Sequence, residues 1–434
     1  MASSPARHDP WAALRHPSFR FSVAGRFATS AAMMMFAATV FWQVHEISDS
    51  AWMLAVVGIV QFIPSLSFGL VAGAVADRFD RRLLSILSQS VMCACGAILA
   101  VASLADAATL PLVFGMAFVI ATAGTFDAPA RQALLPALVP RGLFQNAVTI
   151  QSVVQQLGFV MGPTGAGFLI ALRGPGLAYA GYASLFVVGI GCYAFMRLLP
   201  VDLPRRAISW EGIKEGVSFV RQRQVILGAM TLDMFAVIFG GAQALLPIYA
   251  TKILDVGAVG YGMLAASLDV GALIASASLV LLPPVRKTGR VLLVAVAMYG
   301  VFTIIFGLSR WFPLSLLAYM LIGMSDSVSV VMRQTTIQLA TPDELRGRVT
   351  SVNMLFIGAS NRLGAVESGV VAALTNATFA VVSGGAGTLA VVGAVAAKMP
   401  ELRRFRIDSL RERPGLQSLV GEGTSGQPTA PGAP

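Results

Sequence analysis

The sequence predicts an all-α membrane protein, with twelve transmembrane helices arranged as two pseudo-symmetric six-helix bundles. Three observations carry this. The chain is 56% hydrophobic and only 12% charged, with mean hydropathy +0.75, outside the range of a water-soluble globular protein. Apolar runs of about 20 residues, the length that crosses a bilayer, recur along it. Basic residues concentrate in alternate connections between those runs, the pattern that sets orientation in a membrane.

In order, the apolar runs fall at roughly 21–44, 52–76, 83–104, 109–130, 143–171, 177–198, 225–251, 258–283, 290–308, 312–333, 348–374 and 377–397. Arg78, Arg81 and Arg82, then Arg131 and Arg141, Arg197 through Arg223, Arg286 through Arg290, and Arg333 through Arg348 occupy one set of connections. The other set holds Arg173, Lys252 and Arg310. Both termini are therefore expected on the cytoplasmic side of a bacterial inner membrane. The formal charge of +10 is read as topology and not as a nucleic-acid surface.

Residues 1–198 form the expected first bundle, 199–224 a linker, 225–398 the second bundle and 399–434 a largely disordered cytoplasmic tail rich in Gly, Ser, Thr and Pro. Within the linker, Trp210, Ile213, Val217 and Val220 follow helical spacing and suit an amphipathic helix at the interface. An internal repeat supports the division. Arg131-Gln132 and Pro140 recur as Arg333-Gln334 and Pro342, and Gly162 recurs as Gly364, all at one constant offset.

Six groups of residues carry candidate function. The connection after the second helix reads Gly69-Leu-Val-Ala-Gly73-Ala-Val-Ala-Asp77-Arg78-Phe-Asp80-Arg81-Arg82, a short charged loop whose glycines would let helix ends approach. Asp127 lies at the end of helix 4, in Thr125-Phe-Asp127-Ala-Pro129-Ala-Arg131-Gln132. Helix 5 holds Gly158 and Gly162, small residues four apart, then Pro163, which removes one helix bond, and Gly167. Asp233, Asp269, Asp326 and Glu367 fall inside apolar runs of the second half, with Arg362 nearby. An ionised group there costs on the order of 3 kcal/mol, so each needs a partner or a wet cavity. The readings of these acids are proton carriage, with Asp233 and Asp269 leading, or a fixed ion pair such as Arg362 with an aspartate. Arg26, Gln61, Gln151, Gln155 and Gln243 outline a polar pathway or, for the amides, bonds between helices. Met33, Met34, Met35 and Phe36 offer either a deformable binding surface or plain packing.

The charged loop, the helix 4 segment and Leu345-Arg346-Gly347-Arg348-Val349 together resemble the major facilitator superfamily, in its branch of drug and siderophore exporters. That resemblance implies a charge network of Asp77, Arg81 and Asp127, with Gly73, gating the cytoplasmic end. It also implies an exporter-type helix 5. Three departures stand out: Asp80 replaces a family glycine, Leu110 to Thr125 lacks the arginine many proton-coupled exporters carry, and Pro283 to Arg290 keeps positive charge without the acid.

The expected function is secondary export of a bulky organic compound, a siderophore or an amphipathic drug, in exchange for protons. Uptake of a small metabolite and a non-transporting membrane sensor or scaffold are the alternatives. The expected partners are a small-molecule substrate, protons and the lipid bilayer. The sequence has no Gly-x4-Gly-Lys-Ser/Thr phosphate loop, so no ATP-driven pump is expected, nor any enzyme activity, cofactor, metal or nucleic acid. The three histidines, His8, His16 and His45, lie in or beside loops, and Cys93, Cys95 and Cys192 are read as packing residues.

Overall fold

A computed structural model describes residues 12–196, 217–281 and 287–405. The first half contains α1 (Pro17–Ser48), α2 (Ala51–Arg78), α3 (Arg81–Leu104), α4 (Leu110–Gln132), α5 (Phe144–Arg173) and α6 (Pro175–Phe195). The second half contains α7 (Gln224–Phe239), α8 (Gly257–Leu281), α9 (Thr288–Leu308), α10 (Phe312–Ala340), α11 (Asp343–Leu374), α12 (Ala377–Lys398) and the short α13 (Pro400–Arg404). Among the described residues, eleven helices are long and apolar enough to cross a membrane, counting α7 with its continuation to Ile253. The twelfth spanning helix is α11, whose polar first turns and Glu367 lower its hydropathy.

Local chemistry sets several boundaries. Asp80 ends the α2–α3 turn as the N-cap of α3, its carboxylate accepting the Leu83 N–H at 2.9 Å. The acid that departs from the family glycine thus has a structural use. Asn376 caps α12 in the same way, accepting from Phe379 N–H at 2.8 Å. Asp49 closes α1 in the left-handed conformation, at φ 49°, with its N–H on the His45 carbonyl at 2.8 Å.

The seventh span is not continuous. After α7 it passes through a 3-10 turn (Ala242–Leu245), a single helical turn (Leu246–Ile248) and a π-helical turn (Tyr249–Ile253). Gly240 and Gly241 make the break, and the Tyr299 hydroxyl of α9 donates to the Gly240 carbonyl at 3.2 Å. Two adjacent glycines were the available sign of this, and the apolar run 225–251 concealed it.

The helices of each half are held by small residues at contact points, as expected where lipid gives no hydrophobic drive between helices. In the first half, a Cβ on Gly158 would stand 3.0 Å from the Ala31 nitrogen, and one on Gly162 would stand 2.5 Å from the Ala31 carbonyl oxygen. In the second, Gly271 meets the Met320–Met324 backbone and Gly323 meets Leu268.

The two halves meet at the end formed by the α1–α2, α5–α6, α7–α8 and α11–α12 connections. There Gly167 faces Gly262, Gly369 faces Ala55, and Gly58 faces Ala365. The Tyr261 hydroxyl donates to the Ala38 carbonyl at 2.7 Å. One hydrophobic core crosses both halves at this end, joining Phe36, Phe41, Tyr179 and Tyr182 to Tyr249, Tyr261, Phe306 and Tyr319. At the opposite end, which carries the basic connections, the core is divided. Phe19, Leu134, Leu138 and Tyr193 cluster within the first half, while Leu232, Leu292 and Leu402, and separately Ile226, Met230 and Val352, cluster within the second.

Several expectations are corrected here. Gly69 and Gly73 do not bring helices together, since nothing lies within 4 Å of where a Cβ would stand on either. Arg333 is no loop arginine; it lies inside α10, 2% exposed. Trp210 and Ile213 lie outside the described residues, as does the tail from residue 406. Residues 217–222 are helical, and Val220 packs against Ile226 and Val352 rather than on lipid. Residues 400–404, expected in the disordered tail, fold back as α13 because Leu402 is wholly buried beside α7 and α9.

Candidate transport site

Among the described residues, the polar side chains of the membrane interior include two clusters in the first half and two in the second. In the first half, α1 and α5 run side by side with matched four-residue spacing. The Gln151 amide donates to the Ser22 hydroxyl at 2.6 Å, and one turn further the Arg26 guanidinium donates to the Gln155 carbonyl oxygen. Of the two uses open to these amides, the structure assigns Gln151 and Gln155 to bonds between helices. Arg26 is half-buried and engaged by this bond.

Asp127 anchors the second cluster. It is 1% exposed, and its carboxylate accepts from Arg131 at 3.2 Å, from the Gln89 amide at 3.2 Å, and from the Ser85 hydroxyl. A buried carboxylate with one cation and two neutral donors is fully compensated. Ser85 and Gln89, one turn apart on α3, were not singled out by sequence; their spacing opposite a buried acid was the signal. Arg81 donates to the Ala76 and Ala133 carbonyls, each at 3.4 Å, tying the α2–α3 turn to the end of α4. The side chains of Asp77 and Arg362 lie outside the description.

In the second half Asp233 forms a buried ion pair with Arg333, their side chains 8% and 3% exposed. Sequence reading placed Asp233 beside Asp269 as a leading proton carrier and offered Arg362 as a partner; the structure supplies Arg333 from α10. Arg131 and Arg333 are repeat counterparts, and each neutralises a buried acid, one from its own helix and one from α7.

Asp269 and Asp326 are half-buried on α8 and α10, which run parallel and touch where Leu268 meets Gly323. The two aspartates therefore stand on adjoining helices near that contact, one residue past Leu268 and three past Gly323. Gln156 of α5 reaches across from the first half and donates to the Asp269 carbonyl at 3.2 Å and its carboxylate at 3.4 Å. Gln156 was missed in favour of its neighbour Gln155. Glu367 is half-buried on α11 and accepts from the Ser368 hydroxyl at 3.3 Å. Gln243 is exposed in the 3-10 turn of the broken seventh span, and Gln61 is half-buried on α2. Met35 and Phe36 belong to the core, 6% and 3% exposed, which gives them to packing.

A further contact joins the halves at their closed end. Lys252 bonds Asp49 at 2.6 and 2.7 Å, and His45 meets the Thr251 hydroxyl at 2.9 Å. The Lys252 hydrogen bond holds the exposed Asp49 carboxyl below the usual carboxylate range. The sign available in the sequence was the rarity of lysine on that side of the topology.

Two helical halves, a shared core at one end only and polar clusters between membrane helices make the architecture of a polytopic membrane transporter. The match over residues 8–419 settles the family: the chain belongs to the transmembrane secretion effector family, a group of the major facilitator type. It is 26% identical over 389 residues to the multidrug efflux pump Tap of Mycolicibacterium fortuitum, covering 85% of this chain and 92% of that one. It is 25% identical over 399 residues to the enterobactin exporter EntS of Shigella boydii serotype 4 (strain Sb227), covering 90% and 94%. In fold it is similar to the nucleoside transporter NupG, with TM-score 0.73 at 11% identity over 90% of this chain and 100% of that one. A bacterial homologue of the lysosomal transporter Spinster, solved inward-facing and unoccupied, gives TM-score 0.64 at 13% identity over 89% and 96%.

Proposed function

We propose that this protein exports a bulky organic compound, a siderophore or an amphipathic drug, from the bacterial cytoplasm in exchange for protons, by alternating access between its two halves. The observation that carries the reading is the core: continuous across both halves at one end, divided at the basic end. With the basic end in the cytoplasm, as the distribution of arginines favours, this is an inward-open state ready to load cargo. The efflux relatives supply the direction and the class of cargo.

Asp269 and Asp326 are the proposed proton carriers. They stand at mid-depth, half-buried, with one of them hydrogen-bonded to Gln156 of the opposite half. A carboxyl whose bond crosses the moving interface changes its surroundings when the halves rock, and that change is what couples protonation to conformation. Glu367, half-buried on α11, is a secondary candidate. Asp233 is proposed as a charge clamp, because Arg333 already neutralises it. Asp77, Arg81 and Asp127, with Gly73, are the proposed cytoplasmic gate. Gly158, Gly162, Pro163 and Gly167 are the proposed exporter segment, in which the first two glycines fix α5 to α1 and the last meets α8.

The test is transport in proteoliposomes with an imposed pH gradient, using an amphipathic dye and a catecholate siderophore as cargoes. Accumulation driven by the gradient for either cargo, lost in Asp269→Asn/Asp326→Asn protein that still inserts, is the expected result. Transport that ignores the gradient removes proton exchange, and absence of movement for both cargoes favours the scaffold alternative.

A further inference from the structure

At the basic end of the second half, a cleft of about 230 Å³ is lined by Lys287, Arg290, Arg403, Arg404 and Phe405. Four cations share one small space, and among the described residues none of them forms an ion pair. The nearest acid in sequence, Glu401, sits in the first turn of α13. Like charges gathered this way repel one another unless an anion joins them.

The cleft is built and not a chance meeting of loose side chains. Leu402 is wholly buried among α7, α9 and α12 residues. Gly289 leaves no space for a Cβ because the Leu402 carbonyl lies against it, and Gly228 takes Met399 and Leu402 on the α7 side. This docking fixes Arg403 and Arg404 opposite Lys287 and Arg290.

The surroundings specify the anion. Arg290, Val294 and Met298 lie four residues apart and share one face of α9; Val294 is 61% and Met298 39% exposed. That face leads from the charged cleft directly along the membrane-facing helix surface. Phe405 adds an apolar wall at the cleft itself. A free phosphate would use the cations alone, whereas a phospholipid uses both parts, its phosphodiester in the cleft and an acyl chain on Val294 and Met298. We infer that this cleft is a binding site for the phosphate of an anionic glycerophospholipid of the phosphatidylglycerol type.

Native mass spectrometry of the full-length protein in detergent, titrated with phosphatidylglycerol or phosphatidylcholine of identical acyl chains, tests this. Retained phosphatidylglycerol adducts should appear at concentrations about tenfold lower than phosphatidylcholine adducts. Arg290→Gln/Arg403→Gln/Arg404→Gln should erase that preference, while Arg221→Gln/Arg223→Gln, on the same end but outside the cleft, should keep it. Millimolar inorganic phosphate should leave the lipid adduct in place. Equal binding of the two lipids, a preference that survives the triple change, or displacement by phosphate at matched concentration would each overturn the assignment. Should the triple variant fail size-exclusion, Arg404→Gln alone decides, with a drop of about threefold or more expected.

Discussion

Asp233 and Arg333 show at the residue scale how a charge survives in this interior: each is nearly inaccessible and each has the other. Removing one partner strands the second. Asp233→Asn is therefore expected to cost about 3–5 kcal/mol, read as an early thermal transition in detergent, and Asp233→Leu/Arg333→Met should recover much of it. If Asp233→Asn melts with the parent protein, the pair is not a clamp. Asp326→Asn is expected to be near-neutral for folding, because no partner among the described residues loses a bond, yet to slow gradient-driven transport at least about tenfold. The sequence disclosed which side chains were too polar for the bilayer, since that judgement needs only type and place. It did not disclose pairing. Arg333 stands seven residues past Asp326 on the same helix, and its partner is brought from α7 by packing that no local spacing encodes.

Two helices with similar glycine content behave differently at the scale of an element. On α5, Gly162 is pressed against the α1 backbone, and on α2, Gly73 faces open space. Gly162→Ala should cost about 1–3 kcal/mol through overpacking. Gly73→Ala, adding helix propensity without a clash, should leave this state unchanged or up to about 1 kcal/mol more stable. Comparing thermal stability with transport rate for both variants checks the pair: a Gly73→Ala protein that melts normally but transports poorly would place the glycine's contact in the other state of the cycle. Helix existence and order were legible because about 20 apolar residues have few other places to go. The break after Phe239 was not, because Gly240 and Gly241 differ in sequence from glycines buried in unbroken helices only by the Tyr299 and Gly364 that meet them.

For the whole molecule, the latch of Asp49 with Lys252 and of His45 with Thr251 lies where the halves are closed, so it has to open for cargo to leave at that end. Lys252→Ala should shift the population towards the other state, read as a longer spin-label distance between engineered cysteines at Ile47 and Val256 in a background free of the native thiols. The pH dependence follows from Asp49. Lys252 depresses its pKa, so the carboxylate's contribution is full above the usual carboxylate range and is lost only as pH falls through the depressed value. The distance in the parent protein should therefore not change between about pH 8 and 6 on account of Asp49, and should lengthen in stronger acid. An unchanged distance in Lys252→Ala would mean that packing of Gly167 on Gly262 holds this end unaided. By itself the sequence determined that the chain spans a membrane, how many times, in which half each charge lies, and which superfamily it resembles, because hydropathy, charge and motif are properties of the chain. Only the tertiary structure decided which acids are neutralised, which glycines touch, and at which end the halves join, because those depend on residues far apart in sequence meeting at one depth.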